Sequence, residues 1–288
     1  MLAWVRALIR RPDRLAQVDR FLQRYSYWRG VKRGLSDPDT WRRFSRAPVI
    51  LMYHAMGDRR EAPSWYVMPQ RRLLLQMLWL RLCRYHVISL SELVAHLRSD
   101  RLPPGRAVVV TFDDGYADNY RLALPILRKL HFPATIFLVS RRLGGDASWT
   151  TEPPIAGRPL LTVELVNEML EGCFEAGAHT RTHVSLTDVP ADANRELEIS
   201  GSREDLEGSF GRPIRTFAYP FGDYDLDIAA AVQRAGFYAA CCSRPGANDP
   251  ATPHFELRRV EIRGTDPLWR FPFMVWSGRR VRRKQIRT

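Results

Sequence analysis

The sequence predicts an α/β protein, a barrel of parallel strands wrapped by helices, and three observations carry that prediction. The strand-like runs are continuously apolar rather than alternating, as strands covered on both faces are. Helix-like segments separate them, which is the signature of repeated βα units. No G-x-G-x-x-G phosphate loop follows any of them, which favours a barrel over an open nucleotide-binding sheet.

Taken in order, "PVILMYH" (48–54) is the first buried run, opening with a proline. "PQRRLLLQMLWLRLC" is helical, "HVISL" is a short strand, and "SELVAHLRS" begins a helix that Ser91 is expected to cap. "RAVVVTF" is the clearest strand of the chain; the helical "YRLALPILRKL" follows it and leads into the strand "PATIFLV". "LTVELVNEMLEG" and "DANRELEISGSREDLEGSF" are helical, "IRTFAYP" is extended, and "LDIAAAVQRAGF" closes the series as a helix. With 288 residues the chain can bury a sizeable core. We read residues 1–46 as a basic, aromatic helical extension, 47–265 as a single catalytic domain, and 266–288 as an aromatic-basic tail.

Charge and cysteine usage narrow the function classes. The net charge is +13, with twelve Arg/Lys against four acids in residues 1–46 and six against none in 279–288, so residues 47–278 sum to −1. A neutral body with basic ends argues against a nucleic-acid partner, whose basic stripe lies on the domain itself. In the N-terminal stretch Leu15, Val18, Phe21, Leu22 and Tyr25 follow helical spacing, and "DPLWRFPFMVWSGRRVRRKQ" repeats the mixture of aromatic and basic residues. Aromatics suit a lipid interface and each basic residue adds about 1 kcal/mol of attraction to anionic headgroups, so peripheral association with an anionic membrane is expected. Cys83, Cys173, Cys241 and Cys242 form no C-x-x-C pair and read as reduced thiols. "MLAWVRALIRR" lacks the features of a cleaved signal peptide, and the expected location is cytoplasmic, at the inner membrane surface.

The chemistry gathers where strands end. His54 follows "PVILMY", Asp113 and Asp114 follow "VVVTF", His179 and His183 stand in "GAHTRTH", and Tyr219, Pro220, Phe221 and Gly222 end "IRTFAYPFG". In a parallel barrel these positions share the face at the C-terminal strand ends, where active sites are built. Two adjacent carboxylates repel; a dication relieves that repulsion if one aspartate ligates it while the other acts as a base on its water. Histidines at i and i+4, one helical turn apart, bind the same ion, and two imidazoles with one carboxylate leave positions open for water and substrate. Taken singly, Asp-Asp-Gly is an ordinary turn and H-x-x-x-H a coincidence; the shared face gives them weight. The same ligand set also serves ferrous oxygenases.

"TFDDGYADNY", "GAHTRTH" and "FAYPFG", with "ILMYH" upstream, resemble the polysaccharide deacetylase family, the NodB-homology or carbohydrate esterase 4 group, from about Pro48 to about Arg263. "LMYH" and "LRRVEI" look most like the branch acting on poly-N-acetylglucosamine-type polymers. The resemblance implies a distorted (β/α) barrel and metal-dependent hydrolysis of N-acetyl groups on an N-acetylated glycan of the cell envelope or an exopolysaccharide. It implies Asp114, His179 and His183 as ligands of one divalent ion, zinc first, with cobalt, nickel, manganese or iron also compatible. It implies Asp113 as the catalytic base, Phe221 as the oxyanion donor through its N–H, and Tyr219 beside it as a substrate contact. The chain departs from the pattern twice: Ala218 stands where the family carries the arginine that holds the catalytic aspartate, and no Leu-x-His supplies a general acid. Arg259 is the expected substitute for the first and His54 for the second. The departures keep alive a catalytically impaired carbohydrate-binding relative, or a deacylase of a different acylated glycan.

Overall fold

The computed structural model describes residues 47–58, 60–191 and 193–280. The expectations placed on residues 1–46 and on the basic residues 281–288 therefore lie outside the described residues. Ten strands are formed among the described residues: β1 (Val49–Tyr53), β2 (Ala55–Gly57), β3 (Val67–Pro69), β4 (His86–Ile88), β5 (Ala107–Phe112), β6 (Ala134–Leu138), β7 (Phe174–Ala178), β8 (Thr216–Ala218), β9 (Ala239–Cys241) and β10 (Arg259–Glu261). Between and after them run α1 (Gln70–Leu82), α2 (Leu90–Arg98), α3 (Leu124–Leu130), α4 (Val163–Leu170), α5 (Ala193–Phe210), α6 (Leu226–Arg234) and α7 (Phe271–Ser277).

Seven strands follow one another in the order β10-β1-β5-β6-β7-β8-β9, and β4 joins the same sheet as the eighth by pairing with β5, every pairing parallel. One edge of β5 pairs with β1; the other is split, its first half taken by β4 and its last two residues by β6. Closure between β9 and β10 is minimal: a single bridge joins Cys241 to Leu257, backed by Leu257 N–H to Ala240 O and Cys242 N–H to Leu257 O at 2.9 Å each. The result is a nearly closed, distorted barrel. β2 and β3 pair apart from it as a small two-stranded ribbon above the end of β1.

The continuous apolar runs are explained by burial on two sides. In β5, Val108, Val110 and Phe112 join the main core with Leu51 and Tyr53, while Ala107 and Val109 join a second cluster with Ile50, Phe137, Ala218 and Cys241. Alternate residues point to opposite faces of a strand, so Thr111 and Asp113 continue the face of Val109 into the barrel interior. α2 starts two residues earlier than expected, because the hydroxyl of Ser89, not Ser91, accepts from Glu92 N–H at 3.0 Å.

The C-terminal boundary also moves. The aromatic cluster that the sequence assigned to a tail forms α7, which buries Phe271, Met274 and Val275. Phe271 meets Trp79 of α1 edge-on at 5.7 Å. Burial of these side chains outweighs lipid contact for them, and the packed body continues through Ser277. No helix among the described residues is long and apolar enough to cross a membrane.

Candidate active site

Three loops at the C-terminal ends of β5, β7 and β8 build the site. After β5 the chain turns sharply: Asp114 has φ 72° and Gly115 φ 74°. A β-carbon on Gly115 would stand 2.9 Å from Leu138 Cδ2, so this position requires glycine for space as well as conformation. The turn drives both aspartates inward, Asp113 and Asp114 being 2 % and 6 % exposed.

The two histidines do not share a helix. His179–His183 is a loop after β7, with Thr180 (φ 63°) and His183 (φ 66°) both left-handed. That conformation, costly for non-glycine residues, is held by dense local bonding. Thr180 Oγ1 accepts from His183 N–H at 3.0 Å. Glu198 of α5 accepts from Arg181 N–H, Thr182 N–H and the Thr182 hydroxyl at 2.9, 3.0 and 2.8 Å. Asp205, two turns further along the same face of α5, receives the Arg181 guanidinium at 2.8 and 3.1 Å. The i,i+4 spacing thus converges through a strained loop instead of a helical turn.

Asp114 Oδ1 lies 3.4 Å from His179 Nε2 and 3.1 Å from His183 Nε2. All three donor groups are buried, and their ligand atoms fall within 4.8 Å of one another. His179 Nδ1 sits 2.7 Å from the carbonyl of Ala218. A carbonyl only accepts, so that nitrogen carries a proton and Nε2 is left either to share a proton with Asp114 or, once unprotonated, to ligate an ion. Two lone pairs and a carboxylate aimed at one point fit a divalent cation. Burial pushes the Asp114 carboxyl up, but the charge and hydrogen bonds of His183 and His179 outweigh it and hold the group well below the usual carboxylate range. For His179 burial acts downward, and the Asp114 hydrogen bond with the Asp113 and Asp114 charges reverses it, for a net rise.

Asp113 is held separately. Arg259, at the start of β10 and 1 % exposed, donates from Nη1 to Asp113 Oδ1 at 2.6 Å and from Nε to the carbonyl of Cys242 at 3.1 Å. Its guanidinium lies over the Phe137 ring, 5.4 Å from the centroid. Burial opposes the Arg259 charge, yet the neighbouring Asp113, with Cys241 and Cys242, outweighs burial and raises its pKa further. The arginine absent at position 218 is therefore replaced from a different strand.

His54, half-buried at the end of β1, meets Tyr66 edge-on at 5.3 Å. Phe221 (φ 60°) is 62 % exposed and lies edge-on to His183 at 5.0 Å, closing one side of the site. The following Gly222 (φ 77°) packs against Ser243, where a β-carbon would overlap the hydroxyl at 1.9 Å. Tyr219 corrects the sequence expectation. Its side chain is fully buried, stacks on Tyr224 at 4.6 Å and donates its hydroxyl to Phe255 O at 3.0 Å, so it supports the loop and offers substrate nothing. Sequence reasoning missed Trp149, stacked on His183 at 4.6 Å, and Tyr116, whose buried phenol is pushed up by burial and by the Asp114 charge. Lone aromatics in loops carry no spacing signal that separates them from core residues.

Against known proteins, the family model for polysaccharide deacetylase matches residues 100–240. The chain is 27 % identical over 213 residues to YxkH of Bacillus subtilis, a polysaccharide deacetylase by name, covering 74 % of this chain and 70 % of that protein. The chain is similar to the polysaccharide deacetylase family over that span. These deacetylases are hydrolases acting on carbon–nitrogen bonds, and the matched span contains Asp113, Asp114, both histidines and Phe221. A second deacetylase relative, the poly-beta-1,6-N-acetyl-D-glucosamine N-deacetylase of Staphylococcus epidermidis, is 24 % identical over 195 residues, 65 % of each chain. The deacetylase fold also matches that of the Streptococcus pyogenes deacetylase PplD, solved in complex with acetate, at a TM-score of 0.68 and 22 % identity, covering 80 % of this chain and 98 % of that one.

Proposed function

We propose that the protein is a metal-dependent hydrolase that removes N-acetyl groups from the amino sugars of a poly-N-acetylglucosamine-type glycan in envelope or exopolysaccharide metabolism. The observation that carries this reading is the convergence of Asp114, His179 and His183 on one point, beside a second carboxylate, Asp113, held by a buried arginine. The name of the Staphylococcus epidermidis relative supports the choice of glycan.

A divalent ion in the Asp114–His179–His183 set, zinc in the first instance, supplies Lewis acidity toward the acetamide carbonyl and an acidified water. The chain's own residues do the rest. Asp113 accepts the proton of the attacking water, and Arg259 fixes the orientation of the acceptor oxygen. The Ala218 carbonyl keeps the His179 proton on Nδ1. The Phe221 N–H is assigned to the developing oxyanion, where such a donor contributes about 3 kcal/mol. His54, half-buried at the end of β1, is assigned to protonate the departing amine. Trp149 and Phe221 flank His183 and exclude bulk water from that side.

The basic ends of the sequence are proposed to hold the enzyme at the cytoplasmic face of an anionic membrane. Charge supports that part; of the aromatic cluster Phe271 is used in packing, while Trp269 stays 68 % exposed. Flotation with anionic liposomes at low salt checks it: protein remaining at the bottom rejects it. The function itself is tested by acetate release from a β-linked N-acetylglucosamine oligomer, with Asp113→Asn in parallel. Acetate from the wild type and none from the variant is expected; equal release from both rejects the assignment.

A further inference from the structure

Trp65 is nearly half exposed, at 48 %, yet it is held more firmly than an incidental surface residue. It stands with Tyr66 at the tip of a turn in which Ser64 Oγ accepts from Val67 N–H at 3.0 Å and Ser64 N–H donates to Val67 O at 3.4 Å. Its indole N–H donates to Glu261 Oε1 at 2.7 Å. The guanidinium of Arg263 covers one face of the ring, 2.9 Å from the centroid. Arg263 is itself fixed by Glu261 Oε2 at 2.6 Å, and Arg280 braces the same group through Asp266 at 2.9 Å. The chemistry assigned to the metal site uses none of this scaffold.

The scaffold immobilises an indole that has the Arg263 guanidinium over its ring and still leaves about half of its surface to solvent. Its position is specific too. Tyr66, the next residue, packs on His54 and feels the charges of both Glu261 and Asp114, so it stands between the Trp65 anchor and the metal-site carboxylate. Trp65 is thus one aromatic residue removed from the reacting centre. A pyranose with equatorial substituents presents a flat face of C–H bonds, which packs on an aromatic face as other apolar edges do. A preformed aromatic wall with a few fixed polar groups is the ordinary construction of a small-molecule subsite.

We propose that Trp65 is the stacking platform for a sugar ring neighbouring the one that is hydrolysed, so that the protein binds a chain of sugars and not a single residue. This rests on the glycan reading above. The test compares Trp65→Ala and Trp65→Phe with the full-length wild type on two ligands, a β-linked N-acetylglucosamine pentamer and the methyl glycoside of N-acetylglucosamine. Pentamer binding is followed by calorimetry on chelator-treated protein, and KM by acetate release from metal-loaded protein; thermal unfolding confirms that the variants are folded. The expected result is a roughly tenfold weaker pentamer affinity and higher KM in Trp65→Ala, a smaller loss in Trp65→Phe, and no change for the methyl glycoside. Unchanged pentamer binding, equal losses on both ligands, or a wild type that does not bind the pentamer would each overturn the proposal. Trp65-dependent binding without acetate release would uphold the platform and reject the deacetylase reading.

Discussion

Replacing Arg259 by methionine isolates the buried ion pair that holds Asp113. The side chains of Arg259 and Asp113 are 1 % and 3 % exposed, so methionine leaves a carboxylate in the interior with its charge uncompensated. The Cys242 carbonyl loses its Arg259 donor as well. Removing one partner of a buried pair costs about 3–5 kcal/mol, against less than about 1 kcal/mol for a surface pair. For a body of this size that corresponds to a fall in Tm of roughly 6–20 °C. Urea unfolding of the wild type, Arg259→Met, Asp113→Asn and the double variant gives the coupling directly. The double variant, with no orphaned charge, should be more stable than the sum of the singles predicts, by roughly 1–3 kcal/mol. Because Arg259 positions the base without touching the ion, kcat should fall while metal content and KM stay near wild type. An Arg259→Met protein within about 1 kcal/mol of wild type, or strict additivity in the cycle, refutes the reasoning.

The metal cluster has a pH signature when stripped of ions. The His179 pKa is raised in the folded state, so its contribution is present below the ordinary imidazole value and lost as pH rises through the raised one. Asp114 is depressed, so its contribution appears above the ordinary carboxylate value and fails only in stronger acid. Chelated protein should therefore lose Tm as pH rises above the ordinary imidazole value of about 6.5, while the Tm gain on adding zinc grows in the same direction, since imidazole must be unprotonated to ligate; parallel profiles would contradict this. Burial pushes the Cys241 thiol up to about 12, and with Cys242 it is fully buried, so iodoacetamide should label at most Cys83 and Cys173 in the native protein and all four thiols in denaturant, counted by mass spectrometry. A β-carbon on Gly177 would meet Phe137 Cδ1 at 2.5 Å and Thr216 Oγ1 at 2.8 Å, two residues before His179; Gly177→Ala should cost about 1–3 kcal/mol in a thermal melt, and no loss would show that the barrel interior yields there.

What the sequence made legible follows the range of each physical signal. "VVVTF" could be read because burial on both sides leaves an unbroken apolar run, and strand ends on one face of a barrel gather His54, Asp113 and His179 whatever the loops do. Arg259 could be suggested because a buried aspartate needs a cation and the usual position held alanine. The left-handed loop of His179–His183 could not, since Glu198 and Asp205, which hold it, lie 15 or more residues along the chain. Tyr219 misled for a related reason: its stacking on Tyr224 and its bond to Phe255 are tertiary contacts that a five-residue motif does not encode. The aromatics of α7 look the same in sequence whether they meet lipid or Trp79.

The central claim is that Asp114, His179 and His183 hold one ion and that this ion, with Asp113, makes the hydrolytic centre. Stripping the protein with chelator and titrating zinc back, with metal content and acetate release measured on the same samples, tests it most directly. Acetate release that climbs with bound zinc, levels at one ion per chain and stays flat in His183→Ala is the predicted result. Full acetate release from protein carrying less than about a tenth of an ion per chain, or normal recovery in His183→Ala, would contradict it.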